Sequence, residues 1–455
     1  MDRPVITILG TGYVGLTTAA LFSAAGFKTF VVDPNAERLD SVRTGRSFFY
    51  EEGLDPVIAA GVRSGLLVPT ASYEASVSNS DIVISAVGTP DNPDGSSNLS
   101  YVFAAANEAA KYLKPDAVYV QKSTVPVGTG GRIKALFADA GITNTYVSNP
   151  EFLREGTALQ DSLWFDRIVV GGDYRTALDR VLDLYRQVEK ARDNIAALAK
   201  LTPPKQAKSG QYIKTNLESA ELIKVVSNAF LALKISFANS IAQIADKVGA
   251  DINEVMDAVG ADPRIGRAFL NAGRGYGGGC FPKDVSGLIA AALDKGVNLE
   301  IMRAAQEVND AMPAYITEKL QEALGGSFEG CKIAVLGLAF KAGTSDARCS
   351  PGVSFVNTLL ARGAQVNAFD PQANGEASHS LDERAHLTVS IEDALKGSDA
   401  VIVATEWPEF LSFSPKDYAK NLAGNVFVDA MNRFDIQAMT GAGLRYIGVG
   451  RGPRT

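Results

Sequence analysis

Cys280 follows five glycines in seven residues, in the run Gly273-Arg-Gly-Tyr-Gly-Gly-Gly-Cys-Phe-Pro-Lys-Asp284. Glycine has no Cβ, so such a loop lets backbone come close to a ligand. Pro282 suits the first turn of a helix, which puts Cys280 just before a helix N-terminus with Lys283 near. Both neighbours favour thiolate over thiol. The chemistry implied is nucleophilic attack; the alternative is a buried structural cysteine beside a flexible loop. Lys224 and Asn228 lie four apart in a long periodic stretch and so share a helix face. An amine and an amide so placed could stabilise an oxyanion and orient a substrate, or could both face solvent. Only two histidines occur, His379 and His386, close together in a polar stretch. Proton transfer elsewhere falls to Lys, Asp, Glu, Cys or water. That argues against a Ser-His-Asp triad or a His-rich metal centre, and no metal is expected.

A second chemical signal lies at the N-terminus. Gly10-Thr-Gly12-Tyr13-Val14-Gly15 has the form G-x-G-x-x-G between a strand-like run, VITILG, and an Ala-rich helix. Glycines there permit a tight turn and bring a pyrophosphate to the unpaired N–H groups of the helix N-terminus. Asp33 ends the next strand, 18 residues after Gly15. Its carboxylate would accept from ribose hydroxyls and repel a 2′-phosphate, which favours NAD over NADP. The alternative is a glycine-rich turn without a ligand. Arg38 could stack on or bond the adenosine end, or be a solvated helix residue.

These groups need elements to hold them. Residues 1–33 read as one βαβ unit, and strand-like runs recur at 81–90, 117–126, 144–150 and 167–172. Apolar strands alternating with helices predict a parallel sheet covered on both faces. Residues 202–215, polar with two prolines, read as a flexible surface loop. A helix is predicted over about 217–248, with Thr215 and Glu218 as a capping box. Its apolar face is read as Ala220, Ile223, Phe230, Leu233, Phe237, Ile241 and Ile244. More helices follow to about residue 325. At 331 the α/β pattern resets, with strands in CKIAVLGLAF, AQVNAFDP, DAVIVAT and NVFVDA. The fold class is α/β: two Rossmann-like doubly wound domains joined by a long central helix and a helical middle domain. The expected boundaries are 1–201, 202–328 and 329–455.

The chain has 455 residues and net charge −7, so nothing favours a nucleic-acid partner. Cys280, Cys331 and Cys349 are an odd number without a CxxC pair, which suggests neither a disulfide framework nor a zinc site. A reducing, cytoplasmic setting fits. The N-terminus does not read as a signal peptide. No run of about 18 apolar residues is seen, so no membrane span is expected.

Six ordered blocks give the chain a family resemblance over nearly its whole length. They are GTGYVGL (10–16), KSTVPVGT (122–129), NPEFLREGTA (149–158), AELIKVVSNAFLALKISFANSI (220–241), DPRIGRAFLNAGRGYGGGCFPKD (262–284) and GLAFKAGTSDARCSP (337–351). The sequence resembles the UDP-glucose/GDP-mannose dehydrogenase family, and GYGG-x-CFPKD is most similar to its UDP-glucose branch. The resemblance implies two successive oxidations of a nucleotide sugar's primary alcohol to a carboxylate, with NAD as oxidant. Cys280 would be the nucleophile and Lys224 the stabiliser of the negative oxygen. Asp284 and Asn228 would place water and sugar. Glu151 would be the general base of thioester hydrolysis, with Thr124 in its water network, a role that fits if burial raises its pKa toward neutrality. Thr89, Thr124, Glu155, Lys283 and Arg348 resemble further cofactor contacts. Glu151, Phe152, Leu153, Lys224, Asn228, Phe340 and Lys341, with Phe269, Leu270, Asn271, Gly273, Tyr276 and Gly277 of the segment 269–277, resemble nucleotide-sugar contacts. Lys341 would meet the diphosphate. Arg264 resembles an arginine that reaches a partner subunit's sugar site, so a homodimer or higher homo-oligomer built through the long helix is implied.

Three departures stand out. The family commonly carries an arginine soon after an Asp-Gly pair near the C-terminus, where this chain has Asp429-Ala-Met-Asn-Arg433. Met431 holds that position, with Arg433 as the candidate replacement. The stretch 191–215 reads as longer than usual, a mobile surface insertion. Asn239-Ser240 replaces a frequent Asn-Glu. Rival readings are a GDP-mannose or UDP-N-acetylhexosamine dehydrogenase, a two-electron hydroxyacid dehydrogenase, and a nucleotide-sugar sensor without catalysis.

Overall fold

The computed structural model describes residues 3–142, 145–205, 207 and 209–451. Met1 and Asp2, Asn144 at the start of one predicted strand, Gln206 and Lys208 of the predicted loop, and 452–455 of the predicted last domain lie outside the described residues. The chain divides into two compact units, Met1–Ser227 and Asn228–Thr455.

In the first unit the strands are β1 (Ile6–Leu9), β2 (Thr29–Val32), β3 (Leu67–Thr70), β4 (Ile82–Ser85), β5 (Val118–Gln121), β6 (Thr145–Ser148), β7 (Arg167–Gly171) and β8 (Gln211–Thr215). They form one sheet in the order β3-β2-β1-β4-β5-β6-β7-β8. The first six follow the doubly wound order, with its reversal between β1 and β4. Apolar residues cover both faces, as a parallel sheet demands. Ile6, Ile8, Ile82, Ile84, Val118 and Val120 join one buried cluster. Leu9, Val83 and Tyr119 alternate into the other.

The second unit repeats this plan. Its strands are β9 (Lys332–Leu336), β10 (Gln365–Phe369), β11 (His386–Leu387), β12 (Ala400–Val403), β13 (Val426–Asp429) and β14 (Arg445–Gly448). Their order is β11-β10-β9-β12-β13-β14. Helices Ile252–Gly260, Phe281–Leu293 and Glu300–Ala323 precede them. The expected fold class, two Rossmann-like doubly wound domains with helices between, is the one observed.

Several local expectations are corrected. The first sheet is not wholly parallel, because β7 runs antiparallel to β6 and carries β8 parallel beside it. The predicted loop 202–215 therefore ends in a strand, and 191–199 belongs to helix Arg175–Ala199. Most of the expected insertion 191–215 is thus regular structure among the described residues. Strand β3 escaped notice because LVPT carries a proline, tolerated at this edge. β11 is only two residues long.

The helix Leu217–Val248 appears as predicted, but its start and its buried face differ. Asn216, not Thr215, accepts from the Ser219 N–H at 2.8 Å; Thr215 ends β8. The buried positions are mostly small or polar: Ala220, Glu221, Lys224, Asn228, Ala229, Ala232, Ser236, Ala238, Asn239, Ala242 and Ala245. Phe230, Phe237 and Ile244 of the predicted core face are exposed, together with Leu222, Val226 and Val248. Periodicity found an apolar stripe but could not say what covers it. By length and hydropathy alone this helix could also cross a membrane. Its buried Lys224 and Asn228 are instead bonded to protein partners.

If Asn216 caps this helix, Asn216→Ala lowers stability by about 1 kcal/mol. Thr215→Val, which keeps the strand shape and loses only the hydroxyl, changes it by less than about 0.5 kcal/mol. Urea unfolding measures both, and a larger loss at Thr215 than at Asn216 contradicts the assignment.

Candidate active site

The strands β1, β4, β5 and β6 run parallel. The segments following them, 10–15, 86–90, 122–124 and 149–155, therefore leave the same carboxyl edge of the sheet, where doubly wound folds bind ligands. These segments hold nearly all the N-terminal site candidates.

The first of them forms the dinucleotide turn. Gly10 has φ +98°, and a Cβ there would lie 2.8 Å from the Ala86 carbonyl oxygen. A Cβ at Gly15 would lie 2.0 Å from the Gly10 carbonyl oxygen. Both glycines are thus required by the fold itself. Gly12 is different, since a Cβ there would meet nothing within 4 Å. The protein leaves that space open at the start of helix Tyr13–Ala24, whose N-terminus no side chain caps. A pyrophosphate fits this arrangement. Asp33 is buried and accepts from the Thr11 N–H at 2.9 Å and its hydroxyl, and from the Asn35 N–H. Arg38 lies 3.9 Å from Asp33 and over the Phe48 ring, so it is not merely solvated. Val14 follows half-buried in the same turn. Tyr13 donates to the Arg154 carbonyl. Burial, with Glu51 beside it, pushes the Tyr13 phenol far up. Thr89, Thr124 and Glu155 are half-buried along the same edge.

Glu151 and Lys224 meet here. Both are almost fully buried, and the ammonium lies 2.9 Å from Oε1. Burial alone would raise the Glu151 pKa. The Lys224 ammonium, the Leu153 N–H and the charge of Lys122 outweigh it, and the carboxyl sits below its ordinary value. The expected upward shift is therefore reversed in this state, because the sequence does not reveal which cation faces the carboxylate. Phe152, half-buried, has Arg167 over its ring at 3.9 Å and Lys224 at 5.7 Å.

Four residues missed by sequence reasoning hold this corner together. Lys122 is buried and donates to the Tyr185 hydroxyl at 3.0 Å; that hydroxyl donates to Asn149 Oδ1 at 2.6 Å. Glu221 accepts from the Gly128 and Gly130 N–H groups at 2.7 and 2.8 Å. Burial pushes its carboxyl up to about 7, against the pull of those two bonds. The polar blocks KSTVP and NPEFLREG marked the segments, but their internal partners lie far away in sequence.

In the second unit, Cys280 is exposed at the N-cap of helix Phe281–Leu293, with Pro282 in the first turn. Its carbonyl accepts from the Asp284 N–H at 2.8 Å. The buried Asp284 carboxylate accepts from Asn228 Nδ2 at 2.6 Å and from Lys283 Nζ at 2.7 Å. Lys283 is thus committed to Asp284. Asn228 is buried and bonded to Asp284 rather than facing solvent.

The glycines before Cys280 pack closely on protein. A Cβ at Gly273 would meet the Ala430 carbonyl oxygen at 2.6 Å; at Gly275, Asn309 Oδ1 at 2.5 Å; at Gly277, the Cys349 carbonyl oxygen at 2.1 Å; at Gly278, the Phe340 ring at 2.8 Å; at Gly279, the Arg348 guanidinium at 2.5 Å. The structure thereby joins 273–280 to 340–349. Asn239 accepts from the Gly273 N–H at 2.8 Å, a bond its sequence context does not signal. Leu270 and Tyr276 are buried and Asn271 is exposed. Phe269 adopts φ +66° and lies 6.1 Å from the Phe281 ring. Lys341 is half-buried, its ammonium 5.7 Å from the Phe340 ring. Arg348 is exposed and pairs with Asp346. Arg264 stands apart from this cluster, exposed and paired with Asp262.

The Lys224–Glu151 pair makes a pH prediction. A depressed carboxylate contributes stability that is complete above its unfolded pKa of about 4.3 and is lost as pH falls through the folded value. Lys224→Met leaves the carboxylate buried alone, at a cost of about 3–5 kcal/mol near pH 7. Thermal unfolding from pH 7 to 4 should show the gap to wild type narrowing as acid protonates Glu151. A gap independent of pH contradicts the pairing.

Sequence models of three family domains match the chain: the UDP-glucose/GDP-mannose dehydrogenase NAD binding domain at residues 5–189, the central domain at 218–311 and the UDP binding domain at 334–436. UDP-glucose 6-dehydrogenase YwqF of Bacillus subtilis (strain 168) is 39% identical over 450 residues, covering 98% of this chain and 97% of that one. A UDP-glucose 6-dehydrogenase of Rhizobium meliloti (strain 1021) is 37% identical over 451 residues, covering 98% and 99%. Among solved structures, a UDP-glucose dehydrogenase from the hyperthermophilic archaeon Pyrobaculum islandicum superposes with TM-score 0.88 at 36% identity, over 99% of this chain and 98% of that one. A UDP-D-ManNAc dehydrogenase from Pyrococcus horikoshii follows at TM-score 0.84 and 26% identity, over 98% and 99%. An NAD-shaped turn, a buried lysine–carboxylate pair and a cysteine at a helix N-terminus stand on a chain matched along nearly its full length. The chain belongs to the UDP-glucose/GDP-mannose dehydrogenase family and is an NAD-binding oxidoreductase.

Proposed function

We propose that the protein oxidises the C6 alcohol of UDP-glucose to the carboxylate of UDP-glucuronate, with Cys280 as a covalent nucleophile. The single observation that carries the reading is Cys280, exposed at a helix N-terminus beside Asp284 and Asn228. The relatives named for UDP-glucose at 34–39% identity support this sugar over the rivals. The solved UDP-D-ManNAc dehydrogenase is a more distant likeness. The proposed division is a dinucleotide domain over 1–201, a helical domain with the cysteine loop over 202–328 and a UDP-sugar domain over 329–455.

Gly10, Gly12, Tyr13, Val14, Gly15, Asp33 and Arg38 would hold the dinucleotide, with Thr89, Thr124, Glu155, Lys283 and Arg348 as further contacts. Bound NAD supplies the hydride acceptor. Oxidation of the alcohol gives an aldehyde, and the Cys280 thiolate adds to its carbon to form a thiohemiacetal. A second oxidation yields a thioester. Water then attacks, the C–S bond breaks, and carboxylate and thiolate result. The balance is one alcohol, two NAD and one water giving one carboxylate, two NADH and three protons. Tethering keeps the half-oxidised sugar in place between the two oxidations and divides one hard step into easier ones.

Lys224 would stabilise the negative oxygen at each tetrahedral stage. Drawing its ammonium toward that oxygen weakens its hold on Glu151. Burial then acts on the carboxylate with less opposition and makes it a better proton acceptor for the hydrolytic water. Asp284 and Asn228 would orient that water and the sugar. Phe152, Leu153, Phe269, Leu270, Asn271, Gly273, Tyr276, Gly277, Phe340 and Lys341 complete the proposed sugar-nucleotide site.

A second copy of the chain would cover the exposed stripe of helix Leu217–Val248. Leu222, Val226, Phe230, Phe237, Ile244 and Val248 recur at spacings of four and seven, the pattern of a helix seam. Arg264 is exposed, as an arginine reaching a partner would be.

Two outcomes follow. Cys280→Ser should bind NAD and UDP-glucose normally in calorimetry but lose at least about a thousandfold in steady-state carboxylate formation. Normal turnover removes the covalent route, and turnover only with another nucleotide sugar removes the substrate assignment. Light scattering should give a dimer for the wild type and a monomer for Phe230→Glu; a monomeric wild type at micromolar concentration contradicts the seam.

A further inference from the structure

Arg274 is 3% exposed, yet no carboxylate among the described residues pairs with it. Its Nε donates at 2.9 Å to the Met431 sulfur, a weak acceptor. One Nη2 donates to the Phe340 carbonyl. Nη1 is buried and has no partner. Two acidic residues influence it electrostatically, Glu406 and Asp370. Asp370 already accepts from the N–H groups of Leu338, Ala339, Gln372 and Ala373 and from the Trp407 indole. Glu406 holds a buried Oε2 without a partner and is not bonded to the guanidinium. A buried guanidinium with an idle N–H is costly unless something else completes it.

The position says what that something is. Arg274 N–H donates to the Ala430 carbonyl at 2.8 Å, so the residue is fixed against the loop after β13. Its side chain ends beside Met431, within the segment matched by the UDP binding domain. Arg433, the replacement suggested by the sequence, is exposed. The neighbour of Phe340 is Lys341, a second cation. We infer that Arg274 is a substrate-binding residue of this chain: its guanidinium, approaching Met431 from the glycine loop, donates to the diphosphate of the nucleotide sugar. This inference rests on the nucleotide-sugar reading above.

Titration calorimetry with UDP and with uridine tests it on the full-length protein. Wild type should prefer UDP. Arg274→Met should weaken UDP by about tenfold or more while leaving uridine unchanged, as expected for one lost hydrogen bond to a charged group. Should that variant not fold, Arg274→Lys keeps the charge without the planar fork and should still lose about threefold or more for UDP relative to uridine. A UDP-to-uridine ratio equal to that of wild type overturns the inference, as does an equal weakening of both ligands, which would mark a purely structural arginine. Wild-type protein that binds no UDP fails the underlying reading; wild-type protein that binds UDP with the ratio untouched by either variant fails this inference alone.

Discussion

The Lys224–Glu151 pair is the interaction on which the buried corner of the first unit depends. Neither charge could stay so deeply buried alone, because desolvation of an unpaired ion costs several kcal/mol. The two residues come from distant parts of the sequence, one from the loop after β6 and one from the long helix, and they lie 2.9 Å apart. Holding them there requires the helix and the sheet edge to be rigid together. Lys122, Tyr185 and Asn149 supply part of that rigidity through a chain of buried hydrogen bonds. The return is an ammonium already stripped of water, which interacts with a new negative charge far more strongly than a solvated one would.

The second unit solves a different problem, which is how to bring an irregular loop against a folded sheet. Glycine is the solution. At Gly273, Gly275, Gly277, Gly278 and Gly279 any Cβ would collide with backbone, an amide, a ring or a guanidinium. Asn309 clamps the loop from both sides of Tyr276, accepting from its N–H and donating to its carbonyl. Cys280 thus sits at the end of a segment with little freedom, at a helix start that Pro282 helps to fix.

Much of this was legible in the sequence, for physical reasons. The βαβ units announce themselves because a doubly covered parallel sheet needs continuous apolar strands, as in VITILG and DAVIVAT. Gly10, Gly15 and Asp33 could be placed because the turn tolerates few other residues. What stayed hidden depended on contacts between distant segments. β8 looks like a polar loop because it lies at the sheet's end beside β7. The apolar stripe of the long helix was visible, but periodicity does not distinguish a face buried in the core from one left outside. Phe230 and Ala232, two residues apart, fall on opposite sides of that distinction. Glu151 was found, and the direction of its proton affinity was not, because that depends on Lys224 and Lys122 facing it. Arg274 was hidden inside a segment read for its glycines.

Two oxidations of the sugar carbon before release define the proposed reaction. Its most direct test is the number of NADH molecules formed when a limiting, weighed amount of UDP-glucose is consumed to completion with excess NAD. Two per sugar are expected, with UDP-glucuronate as the sole sugar product. One per sugar, with an aldehyde or ketone accumulating, would contradict it.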